Sequence, residues 1–479
     1  MLSQLKPRQW LVLLVCTCFV VVPSAAQPSI PAALAEAVRL AAEAELVAQR
    51  TPGVSVAVVW GETLVYSAGF GVRNTETKDP VTPDTLFQIG STTKPLTALA
   101  ALRLASEGVL DLDAPVQTVL PELDMGQYTD LITMRALLSH TAGINDAAND
   151  QGPRDPQALR ASLSEYGEAS LFAMPGMIHS YSNPGFDLAG AVIEQVSGRY
   201  YADYMTEKIF RPLGMLRTTF DPAVAMTYPL AAGYSPGLFG PLPVRPLSFN
   251  MAEAPSGLAY SSANDLIPLM RVLIDPPSAE VALDVIGSPL LDDMTEPTTT
   301  YTGAVFGYGL GVFIDDYEGN LMLGHNGAIN GYRAFLQVLP GRQFGVVVLA
   351  NNIAFDAQPI FDAAYDAVFP EVLPSRTPVP TPYVPEPEAL EEYVGRYVVR
   401  DMAGAITIAV EVRLQDGVLT AQPSGQPQLI LQPTKPDEFA VFMGQTDLDL
   451  PLTFARTSDK VIRYLNVGYR SAVREEDVE

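Results

Sequence analysis

Apolar and polar positions change their spacing several times along the chain, and each change predicts an element. From Ser29 to Ala48 an alanine-rich segment with helical spacing opens with Pro31 near its start, which predicts a helix. Val54 to Trp60 and Thr63 to Tyr66 are β-rich runs around Gly61-Glu62, which predicts a hairpin. A long middle region to about residue 300 carries helical stretches broken by Pro and Gly. After it, Tyr308 to Ile314, Asn320 to Gly324, Tyr332 to Leu339 and Phe344 to Ala350 are short apolar runs. Turn residues such as Asp315-Asp316 and Pro340-Gly341 separate them, which predicts an antiparallel sheet. A helix from about Phe355 to Val368 closes this part and packs on the sheet.

Between 370 and 387 stand seven prolines, enough to stiffen the chain into an extended linker. Beyond them Ala405 to Leu414 and Val418 to Gln422 flank Gln415-Asp416-Gly417, a hairpin signal, and the remaining segments also read as strands. The reading is an α/β (α+β) unit over 28–368, a Pro-rich linker over 369–388 and a small all-β domain over 389–479.

The first residues change the picture of where the protein works. Lys6 and Arg8 precede a thirteen-residue apolar run from Trp10 to Val22, followed by Pro23-Ser24-Ala25-Ala26. That order reads as a secretory signal peptide over 1–26, and the run is shorter than the roughly 20 residues a membrane-spanning helix needs. Export to a periplasm or beyond the cell follows, with no stable membrane insertion after cleavage. Cys16 and Cys18 leave with the leader, so neither a disulfide nor a thiol nucleophile remains. With 48% hydrophobic and 17% charged residues the 479-residue chain is an ordinary globular protein. Loss of Lys6 and Arg8 takes the formal charge from -25 to -27, which argues against nucleic acid and anionic membrane partners.

Candidate chemistry begins at Phe87-Gln88-Ile89-Gly90-Ser91-Thr92-Thr93-Lys94, which runs into the helix former Leu96-Thr97-Ala98-Leu99. Ser91 then sits at a helix N-terminus with Lys94 one turn on, on the same face. A serine hydroxyl needs a base, and a desolvated amine can have its pKa lowered enough to serve. Ser-x-x-Lys is a weak signal by itself: Ser3-Gln4-Leu5-Lys6 matches it inside the leader, and a capping Ser91 beside a solvated Lys94 is the plainer structural reading. Context strengthens it. Pro175-Gly176 leads into Tyr181-Ser182-Asn183, and Leu323-Gly324-His325-Asn326-Gly327 ends a predicted strand. A tyrosine beside the lysine can relay the serine proton, and an amide such as Asn183 can hold a substrate carbonyl. Either Lys94 or Tyr181 can be the base in such a coupled pair.

At these residues the chain resembles the serine β-lactamase and penicillin-binding protein family, in its class C β-lactamase, D-alanyl-D-alanine carboxypeptidase and family VIII esterase branch. Ser91-x-x-Lys94, Tyr181-x-Asn183 and His325-x-Gly327 match its three motifs in order. Leu137-Leu138-Ser139-His140-Thr141-Ala142-Gly143, Pro212-Leu213-Gly214-Met215 and Tyr308-Gly309-Leu310-Gly311 extend the likeness over about 28–368. The resemblance implies an antiparallel sheet covered by helices on both faces, with an all-helical subdomain over roughly 100–240. It implies Ser91 as acylated nucleophile, Lys94 and Tyr181 as proton partners, Asn183 as substrate contact and His325 and Gly327 beside the site. The backbone N–H groups of Ser91 and Ala328 would form the oxyanion hole. The segment Leu390-Glu391-Glu392-Tyr393-Val394-Gly395-Arg396-Tyr397 looks like the start of the lipocalin-like domain that follows such hydrolases.

His325 stands where β-lactamases and carboxypeptidases usually carry lysine for the substrate carboxylate, and is a weaker, pH-dependent anchor. That tilts the reading toward esters or amides of small molecules or short peptides. A D-amino-acid peptidase and a catalytically silent binding protein are the alternatives. His140 reads as structural and His179 has no assigned facing. The three histidines are isolated from one another, so neither a metal nor any other cofactor is expected.

Overall fold

The structure, a computed structural model, describes residues 32–475 apart from 150, 276–288, 298–306, 371–382, 445, 449–450 and 468. The expected signal peptide over 1–26 and the middle of the proline-rich linker lie outside the described residues.

A seven-stranded antiparallel sheet organises the first part. Its order is Thr63–Gly71, Gly53–Trp60, Phe344–Ala350, Tyr332–Leu339, Asn320–Ile329, Phe313–Tyr317 and Gly307–Tyr308. The central Gly53–Trp60 and Phe344–Ala350 strands are apolar at nearly every position because both their faces are covered. Side-chain alternation sends Val54, Val56 and Val58 to one face, where Leu34 and Val38 of the Ala32–Ala48 helix and Ile360 and Phe361 of the Gln358–Val368 helix pack on them. Ala57 and Val59 point to the opposite face, into a larger core shared with the Lys94–Ser106, Asn183–Ser197 and Ile267–Ile274 helices. The described residues of the segment over 100–240 are mainly helical, with short helices, helical turns and the fifteen-residue Asn183–Ser197 helix, and near its end Tyr234–Ser235 pairs with Leu242–Pro243.

Two strands depart from the pattern read in sequence, and both departures serve the site. The run Tyr308 to Ile314 is broken into Gly307–Tyr308 and Phe313–Tyr317. Between them the Leu310 and Gly311 N–H groups leave the sheet to bond Met294 and Leu138 carbonyls, so the chain bends against the helix that starts at Lys94. The Asn320 run does not stop at Gly324 but continues to Ile329. Gly327 is no turn residue: a Cβ there would lie 1.8 Å from the Ile89 carbonyl oxygen, and glycine lets the strand approach the Ser91 segment.

The C-terminal part is a closed barrel of eight antiparallel strands between Gly395 and Arg474, sealed by the pairing of Leu429–Lys435 with Glu438–Met443. The hairpin read at Gln415-Asp416-Gly417 joins Ile406–Gln415 to Val418–Pro423, with Asp416 and Gly417 both at positive φ as a tight hairpin turn requires. On its outside, Ala455, Tyr464 and Val473 pack against Ala173 and Ile178 of the first part.

Candidate active site

Ser91 is presented by a turn of tight helix, Gly90–Thr93, that leads directly into the Lys94–Ser106 helix, with Pro95 in its first turn where no N–H partner is lost. Gly90 has a φ of +51°, and a Cβ on it would meet the Ala328 backbone at 2.8–2.9 Å. Only glycine allows this left-handed step beside the strand, and it sets the Ser91 backbone next to Ala328. Thr92 Oγ1 donates to the His325 carbonyl at 3.0 Å and ties turn to strand.

Lys94 is wholly buried. Its Nζ donates to Ser91 Oγ at 3.2 Å, Asn183 Oδ1 at 2.7 Å and the Ser256 carbonyl at 2.7 Å, and it lies 4.7 Å from the Tyr181 ring centre. Tyr181, 8% exposed, shares a side-chain hydrogen bond with Ser91. Serine, lysine, tyrosine and asparagine therefore converge, although 89 residues separate Lys94 from Asn183. Asn183 opens the Asn183–Ser197 helix. Ser182 caps it by accepting the Gly185 N–H, and the Asn183 N–H donates to Asp146 Oδ1 at 2.8 Å.

Burial sets the protonation states. Desolvation brings the Lys94 pKa down to about 7, with Asp187 and Asp146 pulling the other way and Arg470 adding to the fall. The same desolvation pushes the Tyr181 phenol far above its ordinary value, although its hydrogen bond with Ser91 opposes this. Asp187, one turn after Asn183, accepts the Ser256 N–H at 3.2 Å, and burial followed by repulsion from Glu253 raises its carboxyl well above the usual range.

The third motif is built differently from its sequence expectation. His325 is 1% exposed, with Nδ1 against the Asn326 carbonyl at 2.6 Å and Nε2 against the Tyr308 hydroxyl at 3.1 Å, while Phe313 packs at 4.8 Å. Desolvation drops its pKa to about 3. The ring expected to be a pH-dependent anchor therefore has both nitrogens facing protein partners, and it is not among the residues lining the cleft beside Ser91. Gly327 is likewise a packing position, leaving Ala328 as the third-motif residue on the cleft. His140 supports the tyrosine: its Nδ1 accepts the Ser182 N–H at 3.1 Å and its ring lies 4.3 Å from that of Tyr181. His179 is half-buried, and desolvation takes its pKa to about 4.

The sequence reading named no barrel residue at the site. The Tyr181 N–H donates to the Tyr469 carbonyl at 2.8 Å and the Ser471 N–H donates to Ser180 Oγ at 3.1 Å, so the barrel's last hairpin pairs with the tyrosine motif. Arg470 Nε donates to Asp146 Oδ2 at 2.6 Å and its guanidinium lies 5.9 Å from the Tyr181 ring centre. Glu253, Asn149, Asn250 and Ser248 join Ser91 and Asn183 around a cleft of about 70 Å³. Among the described residues no group of His, Cys, Asp or Glu is placed to hold a metal ion, and no helix is long and apolar enough to cross a membrane.

Comparison with known proteins agrees with this architecture. Residues 40–368 match the family model described as Beta-lactamase. Protein flp of Staphylococcus aureus (strain MW2) is 30% identical over 311 residues, 63% of this chain and 59% of that protein, so the chain aligns with about three fifths of that relative's length. Penicillin-binding protein 4 of Amycolatopsis lactamdurans is 27% identical over 63% of this chain and 81% of its own. A crystal structure of SurE with D-Leu superposes with a TM-score of 0.72 at 25% identity, covering 92% of this chain and 100% of that one, barrel included. On the extent of the family match, carried by a domain that gathers all three motif segments, the chain belongs to the beta-lactamase family.

Proposed function

We propose that the protein is an exported serine hydrolase that cleaves ester or amide carbonyls through an acyl-enzyme on Ser91, with esters preferred to β-lactams and D-alanyl peptides. The observation that carries this reading is Lys94: a buried amine 3.2 Å from Ser91 Oγ with a pKa near 7. Near neutral pH about half of it is unprotonated, whereas the Tyr181 phenol keeps its proton. Lys94 therefore takes the serine proton, Tyr181 relays it to the leaving group, and the Ser91 and Ala328 N–H groups receive the oxyanion. Water then attacks the acyl carbonyl near Tyr181. The preference for esters rests on the third motif, where His325 offers no cation for a carboxylate. One observation favours a D-peptide substrate instead: Arg470 stands beside Tyr181 and would bind a carboxylate if it left Asp146. SurE was crystallised with D-Leu, in keeping with that second reading.

Hydrolysis of a short-chain p-nitrophenyl ester, a D-Ala-D-Ala peptide and a chromogenic cephalosporin tests the preference. The ester is expected to have the highest kcat/KM by about tenfold or more, a difference of roughly 1.4 kcal/mol. A higher value for the D-Ala-D-Ala peptide would reverse the preference.

The same assay carries a pH prediction. A base must be unprotonated, so kcat/KM rises with pH along a limb centred near 7 and stays level above it, the Tyr181 pKa being far higher. Arg470→Ala removes a positive charge and leaves Asp146 unneutralised, which favours protonated Lys94 and moves the limb to higher pH. Asp146→Asn removes a negative charge and moves it to lower pH. Shifts of the same sign in both variants would exclude Lys94 as the titrating base.

A further inference from the structure

We infer that Asp187 is a positioning residue for the Lys94 amine, and that it works through hydrogen bonds to Ser256 rather than through charge. The inference rests on the reading of Lys94 as the base and adds to it a residue outside the three motifs.

Lys94 Nζ points at three oxygens. Ser91 Oγ is the one it activates, and Asn183 Oδ1 and the Ser256 carbonyl, each at 2.7 Å, aim it. Asn183 and Asp187 stand one turn apart on the Asn183–Ser197 helix and so share a face. Asp187 Oδ1 accepts the Ser256 N–H at 3.2 Å. The contacts therefore close a ring, from Lys94 to Asn183, along one helical turn to Asp187, across to Ser256, and from its carbonyl back to the amine.

The neighbours of Ser256 are fastened elsewhere. Thr97 Oγ1 donates to the Pro255 carbonyl at 2.7 Å, and the Ala259 N–H donates to Thr93 Oγ1 at 3.3 Å. Both of those ties run to the segment that carries Lys94 itself. The Asp187 tie runs instead to the helix that carries Asn183, and so fixes the two acceptors of the amine relative to each other.

The hydrogens decide the charge. Asp187 is 6% exposed, and among the described residues no cation lies within ion-pair distance of it. It also shares a side-chain hydrogen bond with Ser256, whose Oγ gives its one hydrogen to the Glu253 carbonyl at 3.2 Å. The hydrogen between the two side chains then belongs to the carboxyl, which both donates and accepts as an uncharged acid. Its surroundings agree. Burial and then the charge of Glu253 hold its pKa well above the usual carboxylate range, against the pull of the Ser256 bonds and Lys94. Three further ionisable neighbours, Tyr166, Tyr181 and Tyr201, are buried phenols that keep their protons. An ionised carboxylate at this place would favour the ammonium form of Lys94 and take the base out of use at neutral pH.

The test measures kcat, KM and the pH profile of kcat/KM on a p-nitrophenyl ester for the wild type, Asp187→Ala and Asp187→Asn. The Asn amide keeps an acceptor for the Ser256 N–H and a donor for its hydroxyl. In Asp187→Ala kcat is expected to fall about tenfold or more with KM within about threefold, because the amine loses its aim while the cleft is unchanged. Asp187→Asn is expected to bring kcat back to within about threefold of wild type and to leave the rising limb within about 0.3 pH unit of its place, no charge having been removed. A limb moved down by about one unit in Asp187→Asn reports a lost negative charge and overturns the inference, and it does so even if Asp187→Ala fails to fold. An Ala variant within about twofold of wild type in kcat, or an Asn variant as slow as Ala, overturns it as well. The two levels separate in the wild type: a profile with no limb near pH 7 defeats Lys94 as base, whereas that limb with a fast Ala variant defeats Asp187 alone.

Discussion

Lys94→Ala lowers ester turnover about a thousandfold, within the range of roughly 10² to 10⁴ that a positioned acid or base contributes. The size follows from what is left behind. Without the amine, the nearest group able to take the Ser91 proton is the Tyr181 phenol, whose own pKa is held high by burial, so little of it is ionised at neutral pH. Asn183 Oδ1 and the Ser256 carbonyl lose their shared donor as well, which loosens the amide expected to hold the substrate. Lys94→Arg separates a base from a mere positive charge. A guanidinium stays protonated throughout the working pH range and cannot accept a proton, so the Arg variant is expected to be as slow as the Ala variant. Turnover within about tenfold of wild type in either variant, measured at the plateau of the pH profile, contradicts the assignment of Lys94 as base.

Much of this arrangement is legible in sequence where local geometry decides it. Ser91 and Lys94 are three residues apart at a helix start, so their proximity follows from helical pitch once the Gly90 turn is recognised. Tyr181 and Asn183 were reached in sequence through their place in an ordered set of motifs, and the Ser182 cap that fixes them at a helix start is visible only in the structure. The strands were legible as apolar runs, but glycine was ambiguous: Gly327 has the composition of a turn and the role of a close contact.

His325 shows why a motif position does not fix a role. Its chemistry permits a pH-dependent anchor, but the break in the chain at Gly309-Leu310-Gly311 places Tyr308 and Phe313 around the ring. The resulting enclosure, which no local pattern announces, keeps it neutral. Arg470 and Asp146 lie 324 residues apart and meet only because the barrel docks against the tyrosine segment. No periodicity or spacing contains that information. Asp146 was nearer to discovery, since it stands three positions beyond the Leu137–Gly143 segment already singled out. Glu253 and Ser248 carry no motif at all and emerge from the shape of the cleft.

Ser91→Ala carries the largest expected effect, because it removes the atom that forms the covalent bond while leaving the pocket, the oxyanion donors and Lys94 in place. Residual turnover is then limited to what binding and oxyanion stabilisation give a water attack, a loss on the order of 10⁵-fold or more. The most direct measurement is covalent. The protein and its Ser91→Ala variant are incubated with a fluorophosphonate, digested, and the adduct located by peptide mass spectrometry. A single adduct on Ser91 in the wild type and none in the variant is the predicted result. Equal labelling of both proteins, or an adduct at any residue other than 91 in the wild type, would contradict the account.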